Sequence, residues 1–298
     1  MIFLKSLKKP CTFSEQVAVI KKHNLIIEDE EEVRAFFSKN NYYRFTGYAL
    51  QFRVSPNSSD YQDGVEFKKI KRIYEFDERL RNLVMSYLGK TEVLFRTVIS
   101  NTFSLLHCNK EPYDQHYNSD NYGLKAGFEK LKIAFSEHRH EYYGDMLMTR
   151  HHAKKYGDKM PLWVIAELMS FSDLSRLYSF MFSSDQNAIS SKFGVSSDML
   201  QNNMHCLVVL RNKCAHLSRL YNSVINPSVQ FSQEFLRKNP ELNNGSLYAH
   251  LLNLRNRQPT TQDKRRMAQD LINLVKEYID CLDLKLMGFP LNWESMPC

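Results

Sequence analysis

The stretch RNKCAHLSRLYN, Arg211 to Asn222, places two arginines, an asparagine and a histidine within nine residues, directly after the apolar run CLVVL. These residue types can handle a phosphate and move a proton. Histidine titrates near neutrality and can accept or donate a proton. Arginine holds a phosphate bidentately and stabilises charge that grows in a transition state. Asparagine can orient a ribose hydroxyl or a phosphate oxygen. Together they suit cleavage of RNA by its own 2′-hydroxyl, chemistry that needs no metal. The plainer alternative is a helix with a solvated polar face and a capping arginine.

A helical wheel at about 100° per residue separates the stretch into two stripes. Leu207, Leu210, Cys214 and Leu217 form the expected buried face. Asn212, His216 and Arg219, spaced i, i+4, i+7, form a second stripe on roughly the opposite side. Arg211 lies off that stripe: five residues from His216 is about 140° around an ideal helix. It could converge with His216 through its long side chain, a local distortion of the helix, or a second copy of the chain.

Other chemistry-bearing residues are more diffuse. His138, His140, His151 and His152 invite a metal reading, yet their spacing is not H-E-x-x-H and no carboxylate stands where a catalytic zinc needs one. A solvated basic face is the expectation there, with RNA backbone contact by His151, Lys154 and Lys155 as the alternative. The clusters KKIKR and DKRRMAQ read as solvent-facing. There is no G-x-x-x-x-G-K-[ST], G-x-G-x-x-G or G-x-S-x-G, so NTP phosphoryl transfer, dinucleotide chemistry and serine hydrolysis lack support.

The elements that position these groups read as helices. The chain has 298 residues, 43% hydrophobic and 24% charged, with only 10 Gly and 9 Pro. That scarcity of turn residues disfavours a β protein. Thr12 and Glu15 form a capping-box pattern, and DEEEV loads acids into a first turn. A helical pattern runs from about 65 to 106. Residues 108–127 are polar and irregular, and one or two helices follow to 157. Pro161 suits the first turn of a helix over PLWVIAELMSFSDLSRLYSFM, and Ser196 or Ser197 caps the helix carrying Arg211. Helices over about 246–255 and 261–287 close the chain. NYYRFTGYALQFRV is the one serious strand candidate, with Gly47 as the expected break. The fold class is all-α, a bundle of long helices. The expected partition is an N-terminal segment 1–64, a helical core 65–230 and an extension 231–298, together one compact unit.

The net charge of +7 permits a polyanionic partner without requiring one. The six cysteines form no C-x-x-C pair, which fits a reducing cytosol. No apolar run is long enough for a signal peptide or a membrane span. The expectation is a cytoplasmic protein with no cofactor and no membrane.

Motifs along the chain carry a family resemblance. KPCTFSEQ with NLIIEDEEEV, NYYRFTGYALQFR, IYEFDERLRNLVMSYLGKTEVLFRT, MPLWVIAELMSFSDLSRLY, LRNKCAHLSRLYN and MGFPLNW occur in order. In these the chain resembles the Abi_2 family of bacterial abortive-infection proteins, the AbiD/AbiF-like group. The polar stretch 108–127 matches no family motif. The resemblance implies the HEPN superfamily, whose signature is an arginine, four to six residues, then a histidine: here Arg211 and His216. It implies a HEPN-like helical core with extra N- and C-terminal helices. It further implies metal-independent endoribonuclease activity, a site formed where two such motifs meet in a dimer, and phage defence by growth arrest. AbiF-like relatives are associated with a small structured RNA.

On that resemblance His216 is the general base or acid, Arg211 holds the scissile phosphate, and Asn212 positions substrate. Arg219 and Tyr221 either extend contact along the RNA or pack, and Arg44, in the motif NYYRFTGY, is a further RNA-contact candidate. Glu92 and Arg96, an i, i+4 pair on an otherwise apolar helix, are either an ion pair or a device by which Glu92 orients Arg211 or His216. The off-stripe position of Arg211 gives a homodimer a geometric reason. Two other readings compete: a non-catalytic RNA binder using tyrosines such as Tyr42, Tyr43, Tyr142 and Tyr143, and a regulatory partner of a toxin.

Overall fold

Helices dominate because the chain supplies good caps and long apolar stripes with few breakers. A computed structural model describes residues 7, 9–142, 147–156 and 159–295, leaving aside some side chains between 133 and 153. Among these residues there is no strand, only two isolated bridges, Ile26 with Glu66 and Arg53 with Tyr61. The chain forms two compact units, 1–80 with 273–283, and 81–272 with 284–298. Both the long helix α4 (Phe67–His107) and α13 (Thr261–Glu277) are divided between them.

In the first unit, α1 (Phe13–Lys22) starts on the expected capping box of Thr12 and Glu15, and α2 (Glu30–Lys39) starts on Asp29. Each cap satisfies amides that the first turn leaves without partners. The segment with strand-like composition is instead mostly α3 (Tyr42–Ala49), which passes through Gly47 without breaking and is followed by a 3-10 turn over Leu50–Phe52 and the bridge at Arg53. Its aromatics explain the outcome: Phe45 stacks on Phe67 at 5.0 Å, and both join a cluster with Phe36 and Phe37. Burial of those rings outweighs a local preference for extended backbone.

The second unit contains the residues of chemical interest. It holds α5 (Lys125–Tyr142), α6 (Leu147–Tyr156), α7 (Leu162–Leu168), α8 (Phe171–Phe180), α9 (Ser183–Ser190), α10 (Ser197–Ala215), α11 (Gln233–Lys238) and α12 (Leu247–Asn256). The polar stretch 108–127 carries only short 3-10 turns before α5 begins. The single helix expected after Pro161 is two helices. Met169 is extended, and Ser170 caps α8 by accepting from the Asp173 amide at 3.1 Å. α12 is buried from Leu247 to Arg255, so it lies at the centre of this unit. α10 packs against α8, α9 and α12. Among the described residues no helix is long and apolar enough to cross a membrane. Cys11, Cys108, Cys206, Cys214 and Cys281 are free thiols, and Cys298 lies outside the described residues.

Candidate functional site

The end of α10 is where the chemical residues gather. Ser196 caps the helix, its hydroxyl accepting from the Met199 amide at 3.3 Å. Leu200, Met204, Leu207, Leu210 and Cys214 then step along one face and are all buried. That stripe fixes the rotation of the helix, leaving Arg211 and Asn212 half-buried beside it. The guanidinium of Arg211 lies 3.4 Å from Asn212 Oδ1.

The helix stops at Ala215. The His216 amide donates to the Asn212 carbonyl at 2.9 Å, the Leu217 amide to Cys214 at 3.0 Å, and the Ser218 amide to Lys213 at 2.8 Å. Leu217 has φ 54. This is a Schellman termination, with Leu217 in the left-handed position that glycine usually fills. Three carbonyls of the last turn are thereby satisfied.

The termination corrects the helical wheel. Leu217 is not on the buried stripe but 60% exposed, because the chain has left the helix before reaching it. Arg219 likewise shares no helical face with Asn212 and His216; its guanidinium donates to the Asn222 carbonyl at 3.2 Å. Tyr221 is 1% exposed, so it packs and offers no ring face to RNA. His216 stands exposed at the C-cap, and among the described residues no hydrogen bond occupies its imidazole.

Glu92 and Arg96 form an ion pair at 2.5 Å, with side chains 16% and 12% exposed. Arg96 also donates to the Ala166 carbonyl, tying α4 to α7. Glu92 thus serves Arg96, and the arrangement is that of a structural clamp. Arg44 belongs to the other unit, where its guanidinium sits 5.7 Å over the Tyr74 ring.

His151, Lys154 and Lys155 are exposed on α6, with His152 half-buried beside Tyr156. His138, His140 and Tyr142 fall among the side chains left aside, and Tyr143 lies outside the described residues. Among the described residues no group of three or more His, Cys, Asp or Glu side chains could hold a metal ion. A cluster that spacing does not reveal lies near α6: Tyr113, Tyr156 and Trp163, each about half exposed, line one cleft of about 530 Å³ with Lys159. Tyr113 and Trp163 are fifty residues apart in sequence, so no local pattern could join them.

A model of the family described as Abi-like protein matches residues 35–222. The match takes in Glu92, Arg96, Arg211, Asn212 and His216 and runs through the polar stretch 108–127. KPCTFSEQ and MGFPLNW fall outside it. No curated protein and no solved structure matches the chain.

Proposed function

The chain belongs to the Abi-like family, whose place is abortive infection, the defence of bacteria against phage, and on that footing we propose that it acts as a metal-independent endoribonuclease of the HEPN type. The supporting observation is His216 itself. It stands exposed at the end of α10 with its imidazole unoccupied among the described residues, five positions beyond Arg211.

In the proposed reaction His216 takes the proton from a ribose 2′-hydroxyl. The 2′-oxygen attacks the adjacent phosphorus, the bond to the 5′-oxygen breaks, and the leaving oxygen receives a proton. The products are a 2′,3′-cyclic phosphate and a 5′-hydroxyl. Arg211 holds the phosphate and offsets the charge that grows on it, and Asn212 keeps the guanidinium and a substrate oxygen in register. Because an ideal helix sets Arg211 and His216 about 140° apart, a second protomer supplies the missing partner. The active form is then a homodimer with its two RNKCAH segments facing across a two-fold axis. A structured RNA bound by the protein fits the role of regulator.

A second reading is an RNA-binding protein that does not cleave. The exposed Tyr113, Tyr156 and Trp163 favour it, with Lys159 in the same cleft and Lys155 over the Tyr156 ring at 5.0 Å, since unstacked bases bind on aromatic faces next to cations.

The deciding experiment is His216→Ala in the full chain. RNA cleavage and growth arrest are expected to disappear while the fold and RNA binding persist. Products of the parent protein should carry 2′,3′-cyclic ends, EDTA should not inhibit, and the solution mass should be that of two chains. Cleavage that survives H216A rejects the assigned site. Binding without cleavage by the parent protein selects the second reading.

A further inference from the structure

A second polar cleft in the same unit is separate from the α10 terminus in its lining. It has a volume of about 460 Å³ and lies where α12 ends, beside the start of α10 and the segment 230–235. Its walls include Arg257, Asn203, Asn253, Gln230, Phe231 and Phe235, and no carboxylate lines it.

Arg257 is the unusual member. It is only 7% exposed, yet its Nε and Nη2 donate to the neutral Asn203 Oδ1, at 3.3 and 2.8 Å, and its Nη1 donates to the Phe193 carbonyl at 3.1 Å. Those bonds use three of five N–H groups. Among the described residues no acid pairs with it. Burial alone pushes the group down to about 10, with no neighbouring acid to push it back. A buried cation without a counter-ion is costly to the fold, so the arrangement calls for an anion brought from outside.

The other walls say what that anion carries. Phe231 and Phe235 are half-buried and stacked at 4.9 Å, with 21° between their planes, forming an aromatic wall to which a further flat ring can be added. Asn253 is 1% exposed, and its Nδ2 is spent on the Asn203 carbonyl at 3.0 Å while its Oδ1 has no partner. Asn203 is held in turn by the Gln230 carbonyl at 2.9 Å. A bare inorganic anion would leave the aromatic wall empty. A lipid chain would leave the amides and the cation unmet. A flat heterocycle with hydrogen-bonding edges and a phosphate meets all three, in a volume of the usual size for such ligands.

We propose that this cleft binds a single nucleotide, its base against the Phe231–Phe235 stack and its phosphate at Arg257. The nucleotide is either free or one unstacked unit of an RNA strand; the chemistry of recognition is the same.

Isothermal titration of the full chain with the four ribonucleoside 5′-monophosphates, the four nucleosides and a single-stranded 2′-O-methyl pentaribonucleotide, which lacks the hydroxyl that the proposed cleavage needs, tests this. The nucleotides should bind at least about tenfold more tightly than their nucleosides. Phe235→Leu and Arg257→Met should each weaken binding about tenfold. Should R257M fail to fold, F235L on the cleft wall and the comparison of nucleotide with nucleoside still decide. Binding of monophosphates identifies a free nucleotide as occupant. Binding of the pentanucleotide alone, weakened by F235L, identifies a unit of a strand. Absence of binding by either, binding that F235L leaves unchanged, or inorganic phosphate competing as well as the nucleotide overturns the proposal. The measurement involves no RNA cleavage, so failure of the nuclease reading leaves it standing.

Discussion

Replacing Leu217 by glycine tests how His216 is seated. Leu217 holds φ 54 and is 60% exposed. An L-residue in that conformation bears about 1–2 kcal/mol of steric strain, which glycine removes. Glycine loses roughly 0.5–1 kcal/mol through the greater freedom of the unfolded chain. The covered remainder of the leucine side chain forfeits about 1 kcal/mol of burial. These contributions nearly cancel, so L217G should unfold within about 1 kcal/mol of the parent protein. Were α10 to continue through residue 219, Leu217 would stand on the stripe of Leu207, Leu210 and Cys214. The same change would then cost about 1 kcal/mol of helix propensity and roughly 2–5 kcal/mol for the truncated core side chain. Urea denaturation followed by circular dichroism distinguishes the cases, with Leu210→Ala, fully buried, as the reference expected to lose roughly 2–5 kcal/mol. A loss above about 3 kcal/mol for L217G would refute the termination, and with it the exposed position of His216.

Two further outcomes follow from buried groups. Arg96→Met strands the largely buried Glu92 carboxylate and should cost about 3 kcal/mol. The double variant Glu92→Gln/Arg96→Met should recover part of that; denaturation of the parent, Glu92→Gln, Arg96→Met and the double variant measures it, and an unstable double variant would count against the clamp. His116 is fully buried, bonds the Met160 carbonyl at 3.0 Å, and is pushed down to about 4 by burial. Above about pH 6.5 its ring is neutral folded or unfolded, so its contribution is complete; between about 6.5 and 4 only the unfolded chain takes the proton, and stability falls on the order of 3 kcal/mol. His116→Gln should flatten that fall, and an unchanged stability profile between pH 7 and 4 would contradict a neutral buried ring.

Much of the helical framework was legible in local sequence. Thr12 with Glu15 and the serine before α10 announced their helices because a cap acts within four residues of itself. The span of α4 was legible because its apolar periodicity is long. Gly47 and Met169 misled for the opposite reason. α3 runs through Gly47 because buried Phe45 and its aromatic neighbours hold it. The chain breaks at Met169 so that Ser170 can cap a new helix, and nothing apolar in the sequence changes there.

The candidate site divides along the same line. By itself the sequence determined an all-helical chain, and it placed an arginine, an asparagine and a histidine at positions 211, 212 and 216. It could not determine that Leu217 turns left-handed. That conformation is unfavourable locally and holds because Leu220, Tyr221 and Ile225 bury themselves just beyond it. Nor could it mark Arg257, one of two arginines within NLRNRQ. Only the folded chain removes water and carboxylates from that guanidinium, because burial and charge isolation are properties of neighbours distant in sequence. The tertiary structure decided which cations face solvent, which stand alone, and where the helix releases His216.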